Sequence, residues 1–155
     1  MTKFFICCCL VLSTSAFAQS RAIDSLRNLI ANAPSREIAL KEKSLLATRL
    51  FAAGQPEAAE TAIREALREA SELNNNSTLG HVYKSAGNLQ FYENRLDSAL
   101  ACYKKASVFF EKAGDLEGTA KILSNIGNIS GMRGDVAGAQ EYYRQALLTE
   151  EKLGV

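Results

Sequence analysis

Residues 79–110 read LGHVYKSAGNLQFYENRLDSALACYKKASVFF and contain two amphipathic patterns on either side of a short polar break. Apolar and small residues recur at steps of three and four from Leu79 to Leu89, and again from Leu96 to Phe110. This spacing places them on one face of a helix. The segment therefore predicts two helices joined by a turn, which together form a helical hairpin.

The same pattern occurs three times at a spacing of forty residues. Small residues carry it in three series: Ala47, Gly87 and Gly127; Ala59, Ala99 and Ala139; and Ala66, Ala106 and Ala146. A bulky residue keeps the same register between the last two series: Ile63, Tyr103 and Tyr143. Small residues let helix backbones approach closely, and large residues fill the space beside them. Self-similarity at this period indicates a stack of helical hairpins.

The pattern resembles the tetratricopeptide repeat, which has an apolar-small pair in its first helix, a turn glycine, and alanine, aromatic and alanine in its second. The third unit matches best, with Ile126-Gly127, Gly134-Asp135, Ala139, Tyr143 and Ala146. In the second unit Asn94 replaces the turn glycine. The resemblance implies an all-α, right-handed α-α superhelix of three helical hairpins plus a leading helix. Its long-period repeat domain covers 35–155, with units at about 35–74, 75–114 and 115–155.

The N-terminus has the pattern of a secretory signal peptide. Lys3 precedes nine uncharged residues up to Leu12, and the segment ends with Ala16-Phe17-Ala18. About 20 apolar residues are needed to span a membrane, so this run is too short to be an anchor. We expect residues 1–18 to be removed after Ala18, which leaves an exported chain, periplasmic or secreted, that does not span the membrane.

Residues 19–34 form a lead-in to the first hairpin. Ile23, Leu26, Leu29 and Ile30 keep helical spacing before Pro34. This predicts a short helix that leans on the first hairpin and serves as the N-terminal cap that repeat stacks require.

The leader contains a run of cysteines at 7–9. A lipoprotein leader would need a small residue directly before the acceptor cysteine, whereas Ile6 precedes the first of them, so we favour a cleaved signal peptide. Only Cys102 then remains of the four cysteines, which excludes an internal disulfide. Its place beside Tyr103 indicates a packing side chain instead of a catalytic thiol.

Charge and motif content argue against several function classes. The chain has 18 basic and 17 acidic residues, and loss of Lys3 with the leader leaves 17 of each, which does not favour nucleic acid or an acidic membrane. With a single histidine, His81, neither a histidine metal cluster nor a histidine triad can be built. We therefore expect no enzymatic activity, no metal and no cofactor.

The first helices of stacked hairpins line a concave groove, and their equivalent positions project into it. The groove residues predicted in this way are Lys41, His81, Lys84, Asn88, Phe91, Lys121, Asn125 and Asn128. Lysine and asparagine side chains can hold a carboxylate or the backbone of an extended peptide. The sequence thus predicts a non-enzymatic scaffold that binds a protein or peptide partner in this groove.

One tetratricopeptide subgroup holds an acidic peptide C-terminus with a lysine and an asparagine of one repeat and an asparagine of the next. The resemblance places Lys84, Asn88 and Asn125 at these positions. The two basic residues of the following repeat have no counterpart, because the sequence ends at Val155. Ordinary polar groove residues are the alternative interpretation.

The last helix carries apolar residues that no further helix covers: Leu147, Leu148 and Leu153. Such faces are normally capped in repeat stacks, so we expect self-association through the C-terminal hairpin. Long-period repeats behind a signal peptide also resemble the sensory N-terminal regions of bacterial histidine kinases. The alternative function is therefore a truncated extracytoplasmic sensory domain of such a signal-transduction regulator.

Overall fold

A computed structural model describes residues 19–154 of the chain. Within this range there are seven helices and no strand. The helices are α1 (19–31), α2 (Arg36–Ala52), α3 (Pro56–Leu73), α4 (Asn76–Tyr92), α5 (Leu96–Ala113), α6 (Leu116–Met132) and α7 (Val136–Glu151). The signal peptide predicted over 1–18 lies outside the described residues. None of the seven helices is long and apolar enough to cross a membrane.

The helices pack in pairs, α2 with α3, α4 with α5 and α6 with α7, and each pair also contacts the next. The first helices of the pairs begin at 36, 76 and 116, and the second helices at 56, 96 and 136. The forty-residue period of the sequence is therefore the period of the structure. The predicted all-α solenoid of three hairpins with a leading helix is confirmed.

One residue in each hairpin turn has a left-handed backbone. These residues are Gly54, Asn94 and Gly134, with φ of +73°, +59° and +80°. Glycine adopts this conformation without strain, and asparagine is among the few other residues that tolerate it. Asn94 departs from the repeat pattern in its side chain, but it keeps the geometry of the turn.

The first helices of the three hairpins all begin with a side-chain N-cap. Ser35, Asn75 and Asp115 each accept a hydrogen bond from the backbone N–H three residues further on. Each contact satisfies one of the N–H groups that a helix start leaves without a partner. The three caps lie forty residues apart, so the capping residue that starts each unit has the same period as the packing residues.

The two helices of a hairpin meet where an aromatic ring lies against a glycine. A Cβ atom added to Gly87 would lie 2.5 Å from Cδ1 of Tyr103, and one added to Gly127 would lie 2.8 Å from Cε1 of Tyr143. Both distances are too short for a real contact, so only glycine leaves room for the ring.

The first hairpin has Ala47 and Ile63 at the corresponding positions, within one core cluster. Isoleucine is smaller than tyrosine, and the extra methyl group of alanine is accommodated there. A larger residue on the first helix is therefore matched by a smaller neighbour on the second helix.

A second ring joins the second and third hairpins. Phe110 of α5 is fully buried. It lies against Gly80 of α4 and Gly118 of α6, where an added Cβ would come within 2.6 Å and 2.5 Å of its Cδ1 atom. One side chain thus packs on the first helices of two successive units.

The two ends of the stack differ. At the N-terminal end α1 buries Ile23 and Leu26 in the core of the first hairpin. At the other end Tyr143 is 44% exposed, whereas Tyr103, forty residues earlier, is 2% exposed. Tyr103 shares a core cluster with residues of α6, and no described helix covers α7 in this way. The apolar residues left exposed on this hairpin include Leu147, Leu148 and Leu153.

We expect Gly87→Ala to lower the free energy of unfolding. The added methyl group collides with the buried ring of Tyr103, and overpacking of this kind costs about 1–3 kcal/mol. Chemical denaturation followed by circular dichroism measures the change. In a Tyr103→Ile background, which copies the first hairpin, the same substitution should cost less.

Gly131→Ala is the matched control, because an added Cβ there meets only the Cβ of Ala139 at an ordinary 3.8 Å. It should be neutral or stabilise by up to about 1 kcal/mol through helix propensity. Equal losses for Gly87→Ala in both backgrounds would contradict the steric explanation.

Candidate functional site

The structure brings four of the predicted groove residues together between α2 and α4. A cavity of about 280 Å³ is lined by Lys41, Ser44, Leu45, Thr48, His81, Lys84, Ser85 and Asn88. We call it the basic pocket. Its position on two successive first helices is the one that the stacked-hairpin interpretation predicted.

Asn125 and Lys121 of α6 border the basic pocket from the next unit. Nδ2 of Asn125 lies 3.4 Å from Oδ1 of Asn88, so the two asparagines that the clamp resemblance singled out are in contact. Lys121 is exposed and pairs with Glu117 on its own helix. This pairing partly neutralises Lys121 before any partner arrives.

The two other predicted groove residues lie outside the basic pocket. Asn128 is exposed, and its Oδ1 accepts a hydrogen bond from the hydroxyl of Tyr143 at 2.6 Å. Phe91 is half-buried, and its ring packs edge-on against Tyr92 with centroids 6.1 Å apart.

The basic pocket carries positive charge that no ion pair among the described residues neutralises. Among residues 19–154, neither Lys41 nor Lys84 has a carboxylate within ion-pair distance. Burial lowers the pKa of Lys84, and the like charge of Lys121 lowers it further. A bound anion would offset both effects, because an opposite charge favours the protonated amine.

His81 is neutral in this setting. Burial, followed by the charges of Lys84 and Lys41, lowers the pKa of His81 to about 4. Asp115 acts in the opposite direction, but its Oδ2 is 3.8 Å from the His81 Nε2 atom, and its effect is smaller. At neutral pH the contact with Asp115 is therefore not an ion pair, and the imidazole offers one hydrogen-bond donor and one acceptor.

Asn88 is held in place by the scaffold. Its Oδ1 accepts a hydrogen bond from the Tyr103 hydroxyl at 2.9 Å and lies within reach of Asn125 Nδ2. The amide oxygen is thereby occupied, and the amide nitrogen remains as the donor of this side chain. Sequence reasoning placed Asn88 in the groove but missed the tyrosine. The signal was available, because Tyr143 and Asn128 repeat the same separation of fifteen residues.

The structure also contains a second cavity, of about 390 Å³. It is lined by Thr48, Arg49, Phe51, Ala52 and Tyr92, and we call it the aromatic cleft. The rings of Phe51 and Tyr92 stack with centroids 6.0 Å apart and 20° between their planes. Tyr92 is 56% exposed, so the exposed ring beside the groove is Tyr92 and not the predicted Phe91.

The remaining reactive groups offer little chemistry. Burial raises the pKa of the Cys102 thiol, which makes the nucleophilic thiolate scarcer, and its side chain packs against the core as predicted. Within residues 19–154 no group of three or more His, Cys, Asp or Glu side chains could hold a metal ion.

Several known proteins are similar to this chain. The crystal structure of BtubC (BKLC) from P. vanneervenii has a TM-score of 0.72 and 28% identity, covering 92% of this chain and 58% of that chain. The chain thus spans little more than half the length of BtubC. The crystal structure of MamA has a TM-score of 0.39 and 16% identity, covering 88% of this chain and 91% of that chain. No curated protein matches.

The family described as "Soluble NSF attachment protein, SNAP" matches residues 47–151. This range is well over half of the chain and includes α3 to α7 completely. The predicted helical, tetratricopeptide-like repeat is confirmed, whereas export and the histidine-kinase resemblance stay predictions. By the extent of the match, the chain belongs to the SNAP family.

Proposed function

We propose that the chain is a non-catalytic scaffold whose basic pocket binds an extended acidic segment of a partner protein. The observation that carries the proposal is the pair Lys41 and Lys84, which lack carboxylate partners within the described residues, beside the oriented amide of Asn88. At the coarser level, helical repeats of this kind typically bind proteins, and the family is described as an attachment protein.

A single carboxylate suits the basic pocket better than a nucleic-acid backbone. Lys84 is half-buried, so a charge-assisted hydrogen bond to a carboxylate is short and poorly screened there. Asn88 supplies a neutral donor on the same side.

Lys84→Ala should weaken binding of a labelled peptide that ends in two glutamates by about 10- to 100-fold, since a hydrogen bond to a charged group contributes about 1.5–3 kcal/mol. Fluorescence anisotropy measures the affinity, and the difference should shrink at high salt. Lys84 is a cleaner position than Asn88, whose loss would also remove the contact with Tyr103.

Lys104→Ala is the control for this experiment. Lys104 is exposed on α5, away from the basic pocket, and its loss removes the same net charge. Its affinity should equal that of the unmodified chain. An equal loss of affinity in both variants would mean that only the net charge of the chain matters, which would contradict a binding site at Lys84.

We also propose that the C-terminal hairpin pairs with a second copy of the chain. Tyr143 is much more exposed than Tyr103, its equivalent in the preceding unit. The face of the C-terminal hairpin that carries Tyr143 is therefore not covered by another described helix. A twofold contact would bury the same patch from both copies. The pairing leaves the basic pocket, which lies between α2 and α4, open to its ligand.

Replacing Leu148 and Leu153 by glutamate should convert a dimer into a folded monomer, because two charges would have to be buried in the contact. Sedimentation velocity measures the association. Leu29→Glu is the control, since Leu29 is an exposed leucine on α1 at the opposite end, and it should leave the dimer intact. A monomeric unmodified chain at micromolar concentration would contradict this proposal.

We further propose that the chain is exported and that its leader is cleaved after Ala18. This rests on the basic start, the short apolar run and the small residues at its end. The alternative role as an extracytoplasmic sensory domain would use the same groove, and it rests on the resemblance to histidine-kinase sensory regions alone.

Expression with the leader should give an exported protein whose mass corresponds to a chain that begins at Gln19. Intact-mass spectrometry of the periplasmic and culture fractions measures it. Replacing Ala18 by a bulky residue should block cleavage, because the leader peptidase requires a small side chain there. A chain that starts at Met1 in the cytoplasmic fraction would disprove export.

A further inference from the structure

The aromatic cleft and the basic pocket are two parts of one groove. Thr48 of α2 lines both cavities, so the two cavities adjoin at this residue. The basic pocket holds lysines without carboxylate partners in the described chain, while the cleft is bordered by Phe51 and by the exposed ring of Tyr92. An extended ligand bound in one cavity is therefore placed to reach the other.

The distance between the two cavities follows from helix geometry. Lys84 and Tyr92 are eight residues apart on α4, and Lys41 and Phe51 are ten apart on α2. At about 1.5 Å per residue these separations correspond to roughly 12–15 Å along the groove. An extended peptide covers that distance in about four residues, at about 3.3 Å per residue.

We propose that the aromatic cleft is a second subsite, which takes one bulky apolar side chain of the same bound segment. The segment would then carry an acidic residue and, about four positions away, a tryptophan, phenylalanine or leucine. The proposal rests on the proposed function, because the acid in the basic pocket fixes the register of the chain. Charge complementarity at one end and an exposed aromatic stack at the other together select an extended peptide.

The cleft is restricted to the junction of the first two units. In the third unit Gly131 and Met132 stand where the second has Phe91 and Tyr92, so no ring stack continues there. Met132 is 57% exposed, almost the same fraction as Tyr92. Met132 is therefore an internal control for non-specific hydrophobic binding of the peptide.

Labelled ten-residue glycine-serine peptides with two adjacent glutamates and one tryptophan provide the test. The tryptophan is placed one, four or eight positions from the acids, with the acids toward either end of the peptide. Binding to the chain is measured by fluorescence anisotropy. The reference is the same peptide with alanine in place of tryptophan, which we call the alanine peptide. In one of the two directions we expect the peptide with a spacing of four to bind about tenfold more tightly than the alanine peptide, because one bulky apolar side chain is buried.

Tyr92→Ala should abolish that gain, so that the tryptophan peptide binds no more tightly than the alanine peptide, whereas Met132→Ala should preserve the gain. Circular dichroism checks that both variants stay folded. A gain that is independent of spacing, or one that persists in Tyr92→Ala, would overturn the second subsite. If Lys84→Ala leaves all affinities unchanged, the proposed function itself fails. If Lys84 matters and Tyr92 does not, only the second subsite fails.

Discussion

The packing of a small residue of the first helix against a bulky residue of the second sets the distance between the helices of each hairpin, and the rest of the architecture follows from it. With Tyr103 against Gly87, α4 and α5 approach closely enough for the tyrosine hydroxyl to reach Asn88. The same contact, repeated forty residues later, keeps the units alike. Because the units are alike, their first helices form one row, and a row of equivalent positions is what makes a groove.

The groove takes its chemistry from side chains that the core orients. The oxygen of Asn88 is occupied by Tyr103, so the hydrogen-bonding character of the concave surface is decided by a buried residue of the second helix. His81 is neutral for a comparable reason, since its burial and the neighbouring lysines outweigh Asp115. The positive charge of the basic pocket therefore comes from Lys41 and Lys84, which carry it on flexible stems that can follow a ligand.

Sequence reasoning reached far here because a period constrains many residues at once. Helix starts, turns and the row Lys41, His81 and Lys121 all follow from one register, and even α1 obeys it, with Ile23 forty residues before Ile63. Reasoning from the period failed where one unit differs from the next. Tyr92 is exposed and Phe91 is half-buried for reasons of local packing, which the pattern of apolar residues does not resolve. Protonation states are equally invisible, because they depend on burial and on charges from several helices.

Phe110 makes the boundary between the second and third units unlike the one before it. Its ring fills space beside Gly80 and Gly118 at once, whereas Ala70, forty residues earlier, offers only a methyl group. If α6 and α7 separated from the stack, the side of this ring that packs on Gly118 would lose its cover. Nearest-neighbour coupling governs how far a local opening spreads along a repeat protein. Phe110 therefore couples α6 to α4 and α5, so that a local opening of the third hairpin also disturbs the packing of the second.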